Sequence, residues 1–331
     1  ILDNSRYNEF YFSLGLTFLN KLSIKLICKF YFNSGEFLKM SAGKRLPGTP
    51  IPKHIWEGYE GVKIAGDSWG NPKNQLVILQ HGGGQTRHAW KGAGETLGAA
   101  GYHAVALDAR GHGDSDWAGE GNYGAEKMVE DLKCVVTELG SGSPILVGAS
   151  MGAGTSLVAI GEKGMTAKAL VMVDMAPRIE PAGQAKIQEF MNQKPDGFDS
   201  LEEVAEAIAN YQPHRKRPRN LDGLAKNVRL ADNGKYVWHW DPARRSSRPG
   251  APDYRERLHK AADNLTLPVL LVRGGLSDVL SEEGAQSFLD QCPHAEYVNV
   301  SNAAHMVAGD RNDIFAESVI EFLLRVAPLE K

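Results

Sequence analysis

The chain has 331 residues, of which 42% are hydrophobic and 23% are charged, and its formal net charge at pH 7 is -3. That length is enough for one large hydrophobic core, or for one core with an inserted segment above it. The small net charge excludes an overall electrostatic attraction to nucleic acid or to an anionic membrane.

The cysteines give information about the cellular compartment. The chain has three cysteines, Cys28, Cys134 and Cys292. Their spacing is not typical of a metal site, and an odd number argues against a disulfide framework. No group of Cys, His and Asp has metal-ligand spacing, and no Gly-x-Gly-x-x-Gly sequence follows a strand and opens a helix. The sequence therefore predicts a protein of a reducing compartment, the cytoplasm, that needs no metal ion, nucleotide or other cofactor.

Residues 1–40 differ in composition from the rest of the chain. They contain a long stretch without acidic residues, in which Lys21, Lys25 and Lys29 would form one basic stripe on a helix. An interfacial helix, a targeting peptide and a translated extension ahead of a start at Met40 all fit this pattern. We favour the extension, because a polar lead begins at Met40, and we expect membrane contact only if this segment is native.

From about residue 54 onward, short apolar runs alternate with stretches of helical periodicity. The pattern predicts a strand hairpin over 54–68, strands at 76–79, 104–107, 145–147, 169–173, 269–272 and 297–300, and helices at 88–100, 126–139, 153–160, 282–290 and 314–326. Strands that alternate with helices form parallel sheets through right-handed crossovers. The sequence thus predicts an α/β fold, with a mostly parallel central sheet and helices on both faces.

One long segment interrupts this alternation. It contains two stretches of helical periodicity, at 185–191 and 200–211, and no apolar run typical of a buried strand. We therefore predict an inserted helical cap over the sheet. The predicted domain bounds are 41–176 and 263–331 for the core and 177–262 for the cap.

Polar residues follow several of the predicted strands, at the sheet edge where active sites of α/β proteins collect. Ser150 stands in a Gly-x-Ser-x-Gly sequence between a strand and a helix, and Asp278 and His305 follow the last two predicted strands. A serine, an acid and a histidine in this order supply what acyl transfer needs. The imidazole takes the proton of the hydroxyl, and a buried carboxylate fixes the imidazole tautomer.

Two backbone amides are expected to face the reacting carbonyl group. A tight turn between strand and helix would hold Ser150 in a strained conformation above the sheet edge, with the amide of Met151 facing a developing oxyanion. A second donor is expected from Gly83, in the loop His81-Gly-Gly-Gly84. Each donor is worth about 3–4 kcal/mol of transition-state stabilisation. His81 and His112 are expected to be structural.

These motifs, together with Arg110-Gly-His-Gly-Asp-Ser115, resemble those of the α/β-hydrolase superfamily over about residues 55–328. The resemblance is to its branch of bacterial esterases, cofactor-free haloperoxidases and epoxide-hydrolase-like proteins. It implies a nucleophile, a base, an acid and two oxyanion donors, which are Ser150, His305, Asp278, Gly83 and Met151. Some members of the superfamily place the acid after an earlier strand, so Asp174 is the alternative to Asp278.

The resemblance also implies an activity. Epoxide hydrolases and haloalkane dehalogenases need a carboxylate nucleophile, and Ser150 argues against both. We therefore expect a serine hydrolase that cleaves a small to medium carboxylic ester through an acyl-enzyme, with a small molecule as its partner. A lactonase or a carbon–carbon bond hydrolase would use the same triad, and a ligand-binding protein that kept the fold is the alternative outside enzymes. Trp238 and Trp240 fit either packing within the cap or the walls of an acyl pocket.

Overall fold

The computed structural model describes residues 43–119, 121–213, 221–247, 251–307 and 312–329. The predictions made for residues 1–40 lie outside these ranges. Within them, no helix combines the length and the apolar character that crossing a bilayer requires.

Ten strands of the described chain belong to one large and one small sheet. They are β1 (His54–Glu57), β2 (Lys63–Trp69), β3 (Leu76–Gln80), β4 (His103–Leu107), β5 (Ile145–Ala149), β6 (Ala169–Val173), β7 (Val228–Leu230), β8 (Tyr236–Trp238), β9 (Val269–Gly274) and β10 (Glu296–Val300). The large sheet has the order β1-β2-β4-β3-β5-β6-β9-β10. β2 pairs antiparallel with β1 and β4, and every other neighbouring pair in this sheet is parallel.

Helices cover both faces of the large sheet. The described helices are α1 (Lys91–Ala99), α2 (Ala125–Glu138), α3 (Met151–Gly161), α4 (Pro181–Asn192), α5 (Leu201–Tyr211), α6 (Ala251–Asp263), α7 (Glu282–Gln291) and α8 (Asn312–Val326). α2, α3, α6 and α7 pack on one face, and α1 and α8 pack on the other. This is the α/β architecture that the sequence predicts.

The apolar run of β3 is uninterrupted because both faces of this strand are covered by helices. Leu76 and Ile78 pack among the helices of one face, whereas Val77 and Leu79 pack among those of the other. Successive side chains of a strand point to opposite faces, so a strand covered on both sides must be apolar at every position. Because each of these side chains is buried, the sheet has no face that water could solvate at this point.

Between β6 and α6 the chain leaves the sheet and forms an insert, defined here as residues 181–247. The insert contains α4, α5 and the antiparallel hairpin of β7 and β8. It has a small hydrophobic cluster of its own, which includes Phe198, Val204, Trp238 and Trp240. The sequence does not predict this hairpin, because strands of three residues are too short for a resolvable alternation.

Helix α6 belongs to the core. Leu258, Ala261 and Ala262 lie in the same hydrophobic cluster as the buried side chains of α3. A Cβ atom at Gly161 of α3 would overlap the backbone of Ala261, so the two helices touch where glycine permits it. The predicted cap bound at residue 262 is therefore too late, since it assigned this core helix to the cap.

A buried ionic network joins the insert to the sheet. The guanidinium of Arg87 is fully buried and contacts Asp67 at 2.9 Å, Asp108 at 2.6 Å and Asp114 at 2.8 Å. Asp114 also accepts from Arg229 of β7, at 3.0 Å. One carboxylate thus lies between a cation of the core and a cation of the insert. Charge-assisted hydrogen bonds of this kind are about twice as strong as neutral ones.

Replacement of Arg87 by Met should destabilise the fold strongly. The variant would leave neighbouring carboxylates in the protein interior without their central cation, and breaking such a buried pair costs about 3–5 kcal/mol. The free energy of unfolding in urea measures this. The control is Arg325→Met, which removes an ion pair with Glu296 whose arginine side chain is 52% exposed and should cost less than about 1 kcal/mol. Equal losses in the two variants would contradict the importance of the buried network.

Candidate active site

Ser150 lies in the sharp turn between β5 and α3. Its backbone has φ 47° and ψ -107°, a conformation that residues with a side chain rarely adopt. A Cβ atom at Gly148 would overlap the backbone of Ala153, and one at Gly152 would overlap the carbonyl of Gln80. Both positions therefore require glycine. The strained turn that the sequence predicts for Ser150 is present.

Neighbouring backbone groups fix this turn. The amide of Ser150 donates to the carbonyl of Val173, at the end of β6, over 3.1 Å, and its carbonyl accepts from the amide of Gly154 at 3.0 Å. The first bond ties the serine to the strand that precedes Asp174. Strain of about 1–3 kcal/mol can persist where the surrounding structure holds a residue in this way.

His305 and Asp174 form a hydrogen-bonded pair. Nδ1 of His305 donates to Oδ2 of Asp174 over 2.6 Å. Asp174 is fully buried and has a φ of 50°, directly after β6. Its carboxylate also accepts from the amide of Gly274 at 2.9 Å and from the hydroxyl of Ser277 at 2.5 Å. The hydrogen bond from Nδ1 of His305 to this carboxylate fixes the ring tautomer and leaves Nε2 as the atom that faces away from Asp174.

The structure corrects the assignment of the acid. Asp278 is half exposed and forms an ion pair with Lys186 of α4 at 2.7 Å, so it is not the acid that His305 contacts. Asp174 and Asp278 both follow a strand of the sheet, but the loop after β9 turns the hydroxyl of Ser277 inward and the carboxylate of Asp278 outward. The alternative that the sequence analysis named, Asp174, occupies the position beside the histidine.

The glycine loop after β3 lies against Ser150. An ideal Cβ atom on Gly82 would be 3.3 Å from Cβ of Ser150. The amide of Gly82 donates to Oε1 of Gln85 at 2.9 Å, and that of Gly84 donates to Nε2 of His112 at 3.3 Å. Among the described residues, the amide of Gly83 has no acceptor.

Within the described part of the chain, the amide of Met151, next to the nucleophile position, likewise has no acceptor. Met151 is the first residue of α3, and the first amides of a helix lack an intrahelical acceptor. Gly83 and Met151, the two predicted oxyanion donors, line the same cavity as Ser150. Their amides are therefore available to a ligand at that place.

His81 has the structural role expected of it. Its Nδ1 lies 2.7 Å from the carbonyl of Gly82, and its Nε2 accepts from the amide of Ala109 at 3.0 Å. Both ring nitrogens are therefore engaged with the backbone of two loops. The ring joins the glycine loop after β3 to the loop after β4, and it does so as a neutral imidazole.

Three buried imidazoles, His81, His112 and His239, form what we call the histidine cluster. The ring centroids of His81 and His112 are 4.9 Å apart, and those of His112 and His239 are 5.9 Å apart. Nδ1 of His239 accepts from the amide of Gly113 at 2.8 Å, so the insert is bonded to the core here. Burial lowers the pKa of His81, and it lowers the pKa of both His112 and His239 well below the usual 6.5.

A cavity of about 870 Å³ opens above Ser150 and His305. Trp238 and Trp240 of the insert line it, with their rings stacked 4.8 Å apart, and Phe190 packs against Trp238 at 5.2 Å. The two tryptophans therefore pack within the insert and also form a wall of the cavity. Among the described residues, no cluster of His, Cys, Asp or Glu could hold a metal ion.

A known protein family matches most of the chain. The model of the family described as Hydrolase_4, serine aminopeptidase, S33, matches residues 71–312, which include Ser150, Asp174 and His305. The chain belongs to this family. It is an α/β hydrolase, as the sequence motifs indicate.

Individual relatives agree with the family. The chain is 27% identical over 290 residues to esterase Rv0045c of Mycobacterium tuberculosis. This match covers 86% of the present chain and 94% of the esterase. The chain is 24% identical over 259 residues to 3-hydroxybutyrate-oligomer hydrolase of Cupriavidus necator, covering 73% of this chain and 87% of that protein. The crystal structure of E-2-(acetamidomethylene)succinate hydrolase superposes with a TM-score of 0.70 at 22% identity, covering 82% of this chain and 98% of that one. That last likeness shows the fold.

Two matched substitutions test which of the two aspartates, Asp174 or Asp278, acts as the acid of the triad. Asp174→Asn removes the acceptor that holds the tautomer of His305, and in a serine triad this substitution lowers kcat by about ten thousandfold. Asp278→Asn removes a surface ion pair and should change kcat by less than about twofold. Initial rates on a p-nitrophenyl ester measure both. A large loss in Asp278→Asn with near-normal activity in Asp174→Asn would restore the original assignment.

The histidine cluster predicts acid sensitivity. In the unfolded chain these imidazoles have pKa values near 6.5, whereas burial holds them neutral in the folded chain. Below about pH 6.5 the unfolded chain therefore binds protons that the folded chain does not. The free energy of unfolding should fall with falling pH, by up to about 1.4 kcal/mol per pH unit for each imidazole. Urea denaturation between about pH 7 and pH 5 measures this slope.

The variant His112→Gln tests which group causes the slope. It removes one imidazole, so its stability should depend less steeply on pH over the same range, whatever its absolute stability. A slope equal to that of the wild type would show that His112 takes up a proton in the folded chain as readily as in the unfolded one.

Proposed function

We propose that the chain hydrolyses a small to medium carboxylic ester through an acyl-enzyme formed on Ser150. The hydrogen bond of 2.6 Å between His305 and Asp174, at a cavity that Ser150 also lines, carries this proposal. It provides the oriented base that a serine hydroxyl needs, because the hydroxyl is a weak nucleophile at its own pKa. The name of one relative, an esterase, supports the choice of bond, and a second relative is named 3-hydroxybutyrate-oligomer hydrolase.

Acylation would proceed with His305 as general base. Oγ of Ser150 attacks the carbonyl carbon of the ester while Nε2 of His305 takes the hydroxyl proton. Asp174 stabilises the imidazolium that forms, through the bond to Nδ1. The imidazolium then gives its proton to the oxygen of the leaving alcohol as the carbon–oxygen bond breaks, which leaves the acyl group on Ser150.

The oxyanion would lie between Gly83 and Met151. In this arrangement both amides donate to the carbonyl oxygen as it becomes negative, and the loss of one such donor typically costs about a hundred- to a thousandfold in kcat. Water then attacks the acyl-enzyme with His305 again as base, which releases the carboxylic acid and restores the serine. The net reaction consumes one ester and one water and yields one acid and one alcohol.

The lining of the cavity supports a substrate with an apolar part. Phe190, Met191, Trp238 and Trp240 line its insert side, and pockets of this size with apolar walls enclose most of the surface of a small ligand. An aliphatic or aromatic portion of the ester would displace water from these side chains.

We further propose a cytoplasmic location, which the free thiols of Cys134 and Cys292 support.

A series of p-nitrophenyl esters from acetate to dodecanoate tests the proposal. We expect kcat/KM to peak at an intermediate chain length, because the cavity that Trp238 and Trp240 line has a finite volume of about 870 Å³. Ser150→Ala should lose more than about a thousandfold in kcat, since it removes the nucleophile. Wild type and variant are also treated with a fluorophosphonate, which should label Ser150 in the wild type alone.

The two measurements separate the outcomes. Labelling without hydrolysis of any ester would mean an activated serine that acts on another bond, and lactones and diketones would then replace the esters. Neither labelling nor hydrolysis would overturn the catalytic proposal in favour of a binding protein. Hydrolysis that survives in Ser150→Ala would place the chemistry elsewhere in the chain.

A further inference from the structure

Arg244 of the insert reaches into the candidate active site. It lies in the short 3-10 turn Pro242–Ser247 and lines the same cavity as Ser150 and His305. Its Nη2 is 3.0 Å from Sδ of Met151, the residue whose amide is a proposed oxyanion donor. The guanidinium therefore contacts the residue that directly follows the proposed nucleophile.

The groups that the guanidinium touches include a thioether, an imidazole and an aromatic ring. Its Nη1 contacts Nε2 of His112, and its carbon is 5.8 Å from the ring centroid of Tyr123. The nearby carboxylate of Asp241 accepts from the hydroxyl of Tyr123 and from the amide of Ala243 at 2.8 Å. A guanidinium presents its N–H donors in a planar fork that matches the geometry of a carboxylate.

The charged groups around the cavity favour an anionic ligand. Among the described lining residues, Lys226, Arg244 and Arg255 are cationic, whereas Asp241 is the one carboxylate. Lys226 and Arg255 are exposed, and Arg244 lies deeper. A cleft lined by one sign of charge with low-dielectric walls concentrates ligands of the opposite sign. Of the three cations, Arg244 is the one that contacts Met151.

We propose that the ester substrate carries a carboxylate and that Arg244 binds it beside the nucleophile. This inference rests on the proposed ester hydrolysis and narrows its substrate class. The apolar part of the molecule would contact Trp238 and Trp240, and the carboxylate would form paired hydrogen bonds with the guanidinium. Arg244 is then a residue that determines specificity and takes no proton during the reaction.

Two pairs of esters test the proposal, each with one charged and one neutral member. The carboxylate is on the alcohol part in 4-acetoxybenzoate, whose neutral partner is methyl 4-acetoxybenzoate. It is on the acyl part in monomethyl adipate, whose neutral partner is dimethyl adipate. The measurement is the ratio of kcat/KM for the charged member over the neutral member, in each variant. A ratio cancels any general loss of activity that a substitution causes.

For at least one pair, the wild type should prefer the charged ester, mainly through a lower KM. Arg244→Met should reduce that ratio by about ten- to a hundredfold, the effect expected when a hydrogen bond to a charged group is lost. Arg244→Lys keeps the charge but loses the bidentate geometry, so it should retain an intermediate ratio. Arg255→Met is the matched control, because it removes a cavity cation that is exposed, and its ratio should stay within about threefold of the wild type.

Each other outcome overturns the inference. Hydrolysis of neutral esters with equal ratios in wild type and Arg244→Met would exclude the carboxylate site while leaving the proposed function intact. Equal losses in Arg244→Met and Arg255→Met would mean that the whole cavity attracts anions and that Arg244 is not a specific site. If Ser150 hydrolyses no ester of either kind, the proposed function and the inference fail together.

Discussion

The close approach of α3 to the sheet is the constraint on which the candidate site depends. The carbonyl of Gln80 and the backbone of Ala153 occupy the space where side chains at residues 152 and 148 would lie, so the turn closes only with glycine. This approach forces Ser150 to a positive φ and lifts it above the ends of the parallel strands. The turn cannot relax from this strained conformation, because the strands beneath it are buried on both faces and closely packed. The position of this partly buried serine at the strand ends is thus a product of the packing beneath it.

The insert is fixed to the core by polar contacts as well as by apolar ones. Arg229 of β7 bonds to Asp114, which Arg87 also binds from the core side, and His239 accepts from the amide of Gly113. The same short loop after β4 therefore receives an ion pair and a neutral imidazole from the insert. The imidazole of His239 must be neutral to accept from this amide, and burial lowers its pKa well below the usual 6.5.

Most of the fold was predictable because its signals are local. An apolar run buried on both faces, or a helix with a 3.6-residue period, shows its environment in the sequence itself. The error over Asp278 has a different origin. Asp174 and Asp278 both follow strands of the same sheet, and only the path of the loop decides which carboxylate turns inward. The short hairpin of the insert and the packing of α6 likewise depend on contacts between distant segments. No sequence motif marks Arg244, because its position in the cavity wall follows from the path of the insert.

The contact between Asp174 and Ser277 has a consequence for the history of such sites. The two side chains follow neighbouring strands, β6 and β9, and the hydroxyl of one lies 2.5 Å from the carboxylate of the other. An evolving chain could therefore exchange the acid and its hydrogen-bond donor between the two strands while His305 and the sheet stay in place. A change in the position of the acid from the end of one strand to the end of its neighbour therefore needs few substitutions in this architecture. The two positions are variants of a single site.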